Sequence, residues 1–197
     1  MYSGGGNDLK YLYALMGIFL LLAATAAAGS FKAEMDVDTY LDADNANQSF
    51  ADSDLLWAAS QGGEPIDQVY LSFINLFGSQ GIFKLEQITS ATLTLDAAQV
   101  DKPGKITAYF LHGETFETAT WDDKEDYNAE VSSSPVDVDE TGSYTWDVTD
   151  IIKKAVEICA EGCPYSIVLV AEDDASVAFT SSEASGDKRT LEYVTEE

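Results

Sequence analysis

His112 is the only histidine in this sequence of 197 residues, and it stands beside Gly113 and Glu114 at the end of an apolar run. A Ser-His-Asp relay would need that one residue to be correctly placed, and nothing near it suggests a nucleophile. It reads as a loop histidine. Two carboxylates can hydrolyse a glycosidic bond, but acids stand throughout the chain, 35 against 10 lysines and arginines, so their presence marks no pair. The expectation is a non-catalytic protein.

Calcium is the more serious chemistry. Hard cations take several oxygens, carboxylates mixed with carbonyls, and Asp36/Asp38, Asp42/Asp44, Asp122/Asp123/Glu125/Asp126 and Glu172/Asp173/Asp174 cluster in or near expected loops. The stretch Asp42–Asn47 lacks the position-5 ligand and the glycine of an EF-hand. The alternative is a solvated acidic surface that maintains solubility, as in proteins from salty surroundings. Cys159 and Cys163 frame Ala160-Glu161-Gly162, and in an exported chain this spacing favours a disulfide over two free thiols. Sugar binding would need exposed aromatic platforms. Trp57, Trp121, Trp146 and Tyr109 are the candidates, although aromatics at strand positions usually fill cores. Trp121, within Thr120-Trp121-Asp122-Asp123, is the best placed. Asn47-Gln48-Ser49 is a glycosylation sequon.

The elements that must position these groups fall into two parts. Residues 1–35 carry Lys10 and Lys32 against Asp8 and Glu34, so the net charge of −25 belongs entirely to residues 36–197. Such a surface repels polyanions and excludes nucleic acid as a partner. The neutral part holds an apolar run from Tyr11 to Ala28; as a helix it spans ~27 Å, marginal for a bilayer. Residues 1–30 therefore read as a cleaved signal peptide or as a retained transmembrane or assembly helix. Both readings export the acidic part to the cell surface or beyond, with membrane contact through residues 11–28 if they are retained.

From Phe31 the pattern is β. Phe31, Ala33, Met35, Val37, Thr39 and Leu41 alternate with Lys32, Glu34, Asp36, Asp38 and Tyr40, a half-buried strand. Short strands are expected at 55–59, 68–76, 88–97, 105–111, 143–148, 165–171, 176–180 and 190–194, separated by turn residues such as Gly62-Gly63 and Pro103-Gly104. With no βαβ alternation, the fold class is all-β, an antiparallel sandwich. One helix interrupts it, capped by Asp147 or Thr149 and burying Ile151, Ile152, Ala155, Val156 and Cys159.

The pieces appear in a characteristic order: Asp38-Thr39-Tyr40-Leu41, then Val69–Phe73, then Ile88–Leu95. Thr118–Trp121, Trp146–Thr149, Phe179–Glu183 and Leu191–Val194 follow. Together they resemble the DNRLRE-type domain, a jelly-roll related to carbohydrate-binding modules and found in secreted and surface proteins of archaea and bacteria. The resemblance covers nearly all of residues 36–195. It departs where the family has arginine, with Ser72 in the strand around Phe73, and Lys188-Arg189 stands in place of the usual proline. Related jelly-rolls carry a structural calcium where the first strand meets the last, which implies Asp38, Asp44 and Glu183 as ligands.

The expected domains are 1–30 as above, an extended strand or linker at 31–37, and a jelly-roll at 38–197. Phe31, Ala33, Met35 and Val37 stand before most of the resemblance. They form either the first strand of their own sandwich or a strand added to a neighbour's sheet edge, and repeated addition builds a filament. The leading expectation is a structural or adhesive cell-surface protein, a homopolymer subunit of a filament or envelope layer. The alternative is a polysaccharide-binding adhesin.

Overall fold

The structure, a computed structural model, describes residues 29–75, 77–159, 162–184 and 190–196. The apolar run Tyr11–Ala28 and the pair Lys188-Arg189 lie outside them.

Among the described residues, the chain forms strands β1 (Gly29–Ala33), β2 (Met35–Asp42), β3 (Leu55–Gln61), β4 (Glu64–Asn75), β5 (Ile88–Lys102) and β6 (Gly104–His112). Then come β7 (Asn128–Ser132), β8 (Val136–Val138), β9 (Gly142–Asp147), helix α1 (Thr149–Cys159), β10 (Cys163–Ala171), β11 (Ser176–Thr180) and β12 (Thr190–Thr195). All pairings are antiparallel. The hydrogen-bonded order β1-β12-β5-β11-β3-β4-β10-β6-β7 is continuous, so one ribbon curls into two layers. The expected antiparallel β-sandwich of jelly-roll type is the fold.

The ribbon turns the corner at the β3–β4 hairpin. Gly62 and Gly63 both have positive φ, 63° and 85°, the backbone that a tight two-residue hairpin requires and that only glycine adopts cheaply. β4 pairs with β3 over its first residues and with β10 and β2 over the rest. One layer is thus β1, β12, β5, β9, β11 and β3; the other is β2, β4, β10, β6, β7 and β8.

Alternation puts one side of each layer into a shared core. Leu71, Phe73, Ile167, Leu169 and Phe110 from the second layer belong to one buried cluster with Leu93, Leu95, Phe179, Leu191 and Tyr193 from the first. Helix α1 buries Ile151, Ile152, Ala155 and Val156 in that cluster, as its stripe predicts. Asp147 accepts hydrogen bonds from the Thr149 hydroxyl at 2.5 Å and the Thr149 N–H at 3.0 Å, and these hold its carboxyl below the usual range.

Two details differ from the sequence reading. The long first strand breaks at Glu34, so that Phe31 and Ala33 lie opposite Tyr193 and Leu191, while Met35 and Val37 lie opposite Phe73 and Ser72. β7 and β8 were not expected. Both are short strands beside β6 at one end of the ribbon, and their sequence lacks the alternation that a half-buried strand shows.

Candidate functional site

Register in the second layer lines up residues across its outer face. Thr39, Tyr70, Val168 and Tyr109 form one row; Leu41, Gln68, Val170 and Thr107 form the next. So apolar a face needs cover from water. Residues 113–127, between β6 and β7, supply part of it. Leu41, Tyr70, Leu111, Val168 and Val170 make a second small core there, with Tyr109, Ala119, Trp121 and Tyr127 packed on it.

The covering segment is fastened from below. Ser72 and Ser166 are fully buried. The Ser166 hydroxyl donates to the Gly113 carbonyl at 3.0 Å and lies 3.0 Å from the Thr115 hydroxyl. The Thr115 N–H points to the Ser72 oxygen at 3.4 Å. Ser49 donates to the Glu117 carbonyl, and the Asp122 N–H donates to the Ala46 carbonyl at 3.0 Å. Ser72, the residue that departs from the resembled family, therefore helps seat this segment. Ser166→Ala should cost about 1 kcal/mol and speed amide exchange at 113–118. Unchanged exchange there would show that the serine does not hold the segment.

Between segment and sheet a recess of about 220 Å³ remains, lined by Leu41, Tyr70 and Leu111 below and by Glu114, Phe116, Asp123, Lys124 and Glu125 around it. Phe116 is 61% exposed, unusual for a ring so close to an apolar floor. Trp121 is half-buried, and the Lys124 ammonium sits 3.4 Å from its ring centroid. That cation–π contact occupies one face of the indole. Burial lowers the Lys124 pKa. Asp123 accepts from the Thr120 hydroxyl at 2.6 Å and the Thr120 N–H at 2.7 Å, which hold its carboxyl below the usual range. Burial pushes the phenols of Tyr70, Tyr109 and Tyr127 up, so they stay neutral. The arrangement offers hydrogen bonds and aromatic contact. His112 is exposed at the end of β6, with Nε2 3.9 Å from Cys163 Sγ, and does not line the recess.

The residues singled out from sequence are scattered. Trp146 is buried in the core, and Trp57 is half-buried on β3. Asp38 is 5% exposed; it accepts from the Ser182 hydroxyl at 2.5 Å and the Ser182 N–H at 2.8 Å. It therefore faces the turn after β11 rather than solvent, as its place in the alternation had suggested. Asp38 and Glu183 line one small recess with Asp36, Asp52 and Glu117. Asp44 lies past the end of β2, where its N–H donates to Asp42 at 2.7 Å, so the three implied ligands do not all meet. Among the described residues, no group of three or more His, Cys, Asp and Glu is arranged to hold a metal ion. Asn47 is exposed in the turn after β2. The side chain of Cys159 lies outside the described residues. Phe116, which the sequence reading missed, had one signal: a large aromatic in the polar stretch Gly113–Thr118, with no alternation to bury it.

No curated protein matches this chain. A family model described as carbohydrate-binding module family 96 matches residues 30–195. That match supports the carbohydrate-binding side of the resemblance and does not single out the DNRLRE-type family. It spans the whole sandwich from β1 to β12, including the covered face and its recess, and the chain belongs to carbohydrate-binding module family 96.

Proposed function

We propose that this protein is a non-catalytic polysaccharide-binding module whose site is the recess beneath residues 113–127. The observation that carries the reading is Phe116, a largely exposed ring beside an apolar floor and a rim of carboxylates and hydroxyls. Sugar rings present apolar C–H faces and outward hydroxyls. An aromatic face with polar groups around it complements both. Affinity electrophoresis through gels containing soluble polysaccharides tests this. Phe116→Ala should weaken binding at least tenfold, about 1.4 kcal/mol, with an unchanged melting temperature. Trp121→Ala should lose less, since Lys124 already covers one ring face. Unchanged retardation of the Phe116 variant would overturn the assignment.

The surroundings follow as proposals from the sequence. The apolar run at 11–28 supports export to the cell surface, cleaved or retained; among the described residues no helix is long and apolar enough to cross a membrane. Mass spectrometry of the mature N-terminus distinguishes the two. Cys159–Cys163 pairing is checked by peptide mapping without reductant, and Asn47 glycosylation by the same map. A structural calcium rests on Asp38 and Glu183, without Asp44. A melting temperature that calcium leaves unchanged would remove it.

Self-assembly is a second reading, favoured by the position of β1. This strand pairs with β12 at one end of the hydrogen-bonded ribbon, and such an edge can accept or exchange a strand. Polymers in electron micrographs of the full chain, lost on removal of residues 1–37 while sugar binding persists, are the expected result. A monomer at every salt and calcium concentration would overturn it.

A further inference from the structure

We infer that one end of the sandwich is a membrane-facing surface, on which the protein stands when the apolar run Tyr11–Ala28 is retained. The inference rests on that retention and concerns a different part of the molecule from the sugar-binding recess. Helix α1 and residues 77–87 close this end. Residues 77–87 lie between the last residue of β4, Asn75, and the first of β5, Ile88, and α1 packs against β5 and against residues 85–87. Gly29, the first residue of β1, lies here too: it pairs with Thr195 of β12, and Thr195 pairs with Ile88. The Glu196 N–H donates to the Gln87 carbonyl at 2.9 Å, which fastens the end of β12 to the same segment.

Four separate elements leave an apolar side chain exposed at this end. Phe83 is 64% exposed in the 77–87 segment, and Ile158 is exposed in the last turn of α1. Ile74, next to last in β4, and Val194, next to last in β12, are exposed beside core residues Phe73 and Tyr193, so they lie on the outer faces of the second and first layers. Of the large apolar side chains exposed among the described residues, only Phe116 belongs to another segment. The four ring the end instead of lining one strand face, which suits contact with a broad apolar surface.

Charge is distributed to match. Lys84, Lys153 and Lys154 stand at this end with Glu86, Asp150, Glu157 and Glu196, close to balance, whereas Asp42, Asp67, Glu172, Asp173 and Asp174 gather at the opposite one. Lysines keep their ammonium groups in water while their stems lie along apolar surface; crowded carboxylates resist desolvation. The chain itself says what covers the end. Ala28 and Gly29 are adjacent, with Cα atoms about 3.8 Å apart, so no linker separates the apolar run from β1. A bilayer that takes up the run therefore lies against the end where β1 starts. The same bilayer receives Phe83 and Ile158 at its interface, where apolar side chains reach about 5–10 Å into the headgroup and acyl boundary.

Tryptophan fluorescence of the full chain in phosphatidylcholine nanodiscs tests this, comparing lipid brominated at the upper acyl carbons with unbrominated lipid. Phe83→Trp and Ile158→Trp, both at exposed positions, should lose most of their added emission in the brominated discs. Gln61→Trp, exposed at the β3–β4 hairpin of the opposite end, should keep it. Equal emission in the two lipids at positions 83 and 158 would overturn the inference. Equal quenching at position 61 would also overturn it, because the sandwich would then lie along the membrane. Shielding of the 83 and 158 probes from aqueous iodide without bromine quenching would mean that a second copy covers this end, and would overturn the lipid assignment. A mature N-terminus at or beyond Gly29 would remove the tether and overturn the inference while leaving sugar binding intact.

Discussion

Trp146→Ala should cost the fold about 3–5 kcal/mol, the usual toll for emptying a large aromatic from a packed core. Trp146 is fully buried on β9, in the first layer. Its indole N–H donates to the Ile106 carbonyl on β6, in the second layer, at 2.9 Å. Its ring meets Phe179 on β11 edge-on, with centroids 5.7 Å apart and planes at 78°. One side chain thus ties both layers, and its loss leaves a cavity and a buried carbonyl without its donor. Domains are stable by about 5–15 kcal/mol, so the variant should be largely unfolded well below the parent's denaturation midpoint. Trp146→Phe should cost less because the ring volume is mostly retained. Urea melts check both. An alanine variant within 1 kcal/mol of the parent would mean that this contact does not join the layers.

The second large effect is on pH dependence. Asp67 on β4 lies opposite Asp42 on β2. Burial, then the charges of Asp42 and Asp44, raise its pKa from 3.8 to about 7. The charges of Asp67 and Asp42 add to the burial that pushes Tyr40 up to about 12. On β3 the facing residue is Ala59, which has no charge, and none of the ion pairs seen among the described residues involves these acids.

Because the folded pKa lies above the unfolded one, the stability tied to this group is complete below about pH 4. It declines as pH rises and is gone above about pH 7. The full shift would correspond to about 4 kcal/mol; solvent screening of a half-exposed carboxyl reduces that to about 1–2 kcal/mol. Asp67→Asn should therefore be more stable than the parent at pH 8, roughly equal at pH 4, and flatter between. Added salt should stabilise the parent more than the variant at pH 8, since it screens the acids that oppose ionisation. Parallel pH profiles for the two proteins would refute the assignment to Asp67.

Much of the architecture was legible before folding because strand alternation is local. The runs around Val69–Phe73 and Ile88–Leu95 and the stripe Ile151–Val156 each announce one buried side, and all three bury it. The stretch Phe31–Leu41 announces one side too, but the structure splits it: Phe31, Ala33 and Met35 pack on the main core, while Thr39 and Leu41 lie on the outer face of the second layer. Asn128–Val138 announced nothing: β7 and β8 exist because β6 offers them a partner, and that partner is distant in sequence.

The candidate site was less legible. Trp146 and Trp121 drew attention as large aromatics flanked by polar residues, yet one is core and the other lies beneath a lysine. Phe116, in similar surroundings, is open. Composition could not rank the three, since exposure depends on which remote strand lies underneath. Ser72, Thr115 and Ser166 likewise meet only when β4, β10 and the segment after β6 come together.

The sequence by itself determined the all-β class, the helix and the neutral–acidic division, because each is written in nearest neighbours or in totals. The acidity of the sandwich seemed uniform. Tertiary structure made it particular: it pressed Asp67 against Asp42, buried Asp38 on Ser182, and drew Glu114, Glu117 and Asp36 around one recess. Burial and charge act over a few ångströms of space, and a jelly-roll brings into that range residues that its chain keeps far apart.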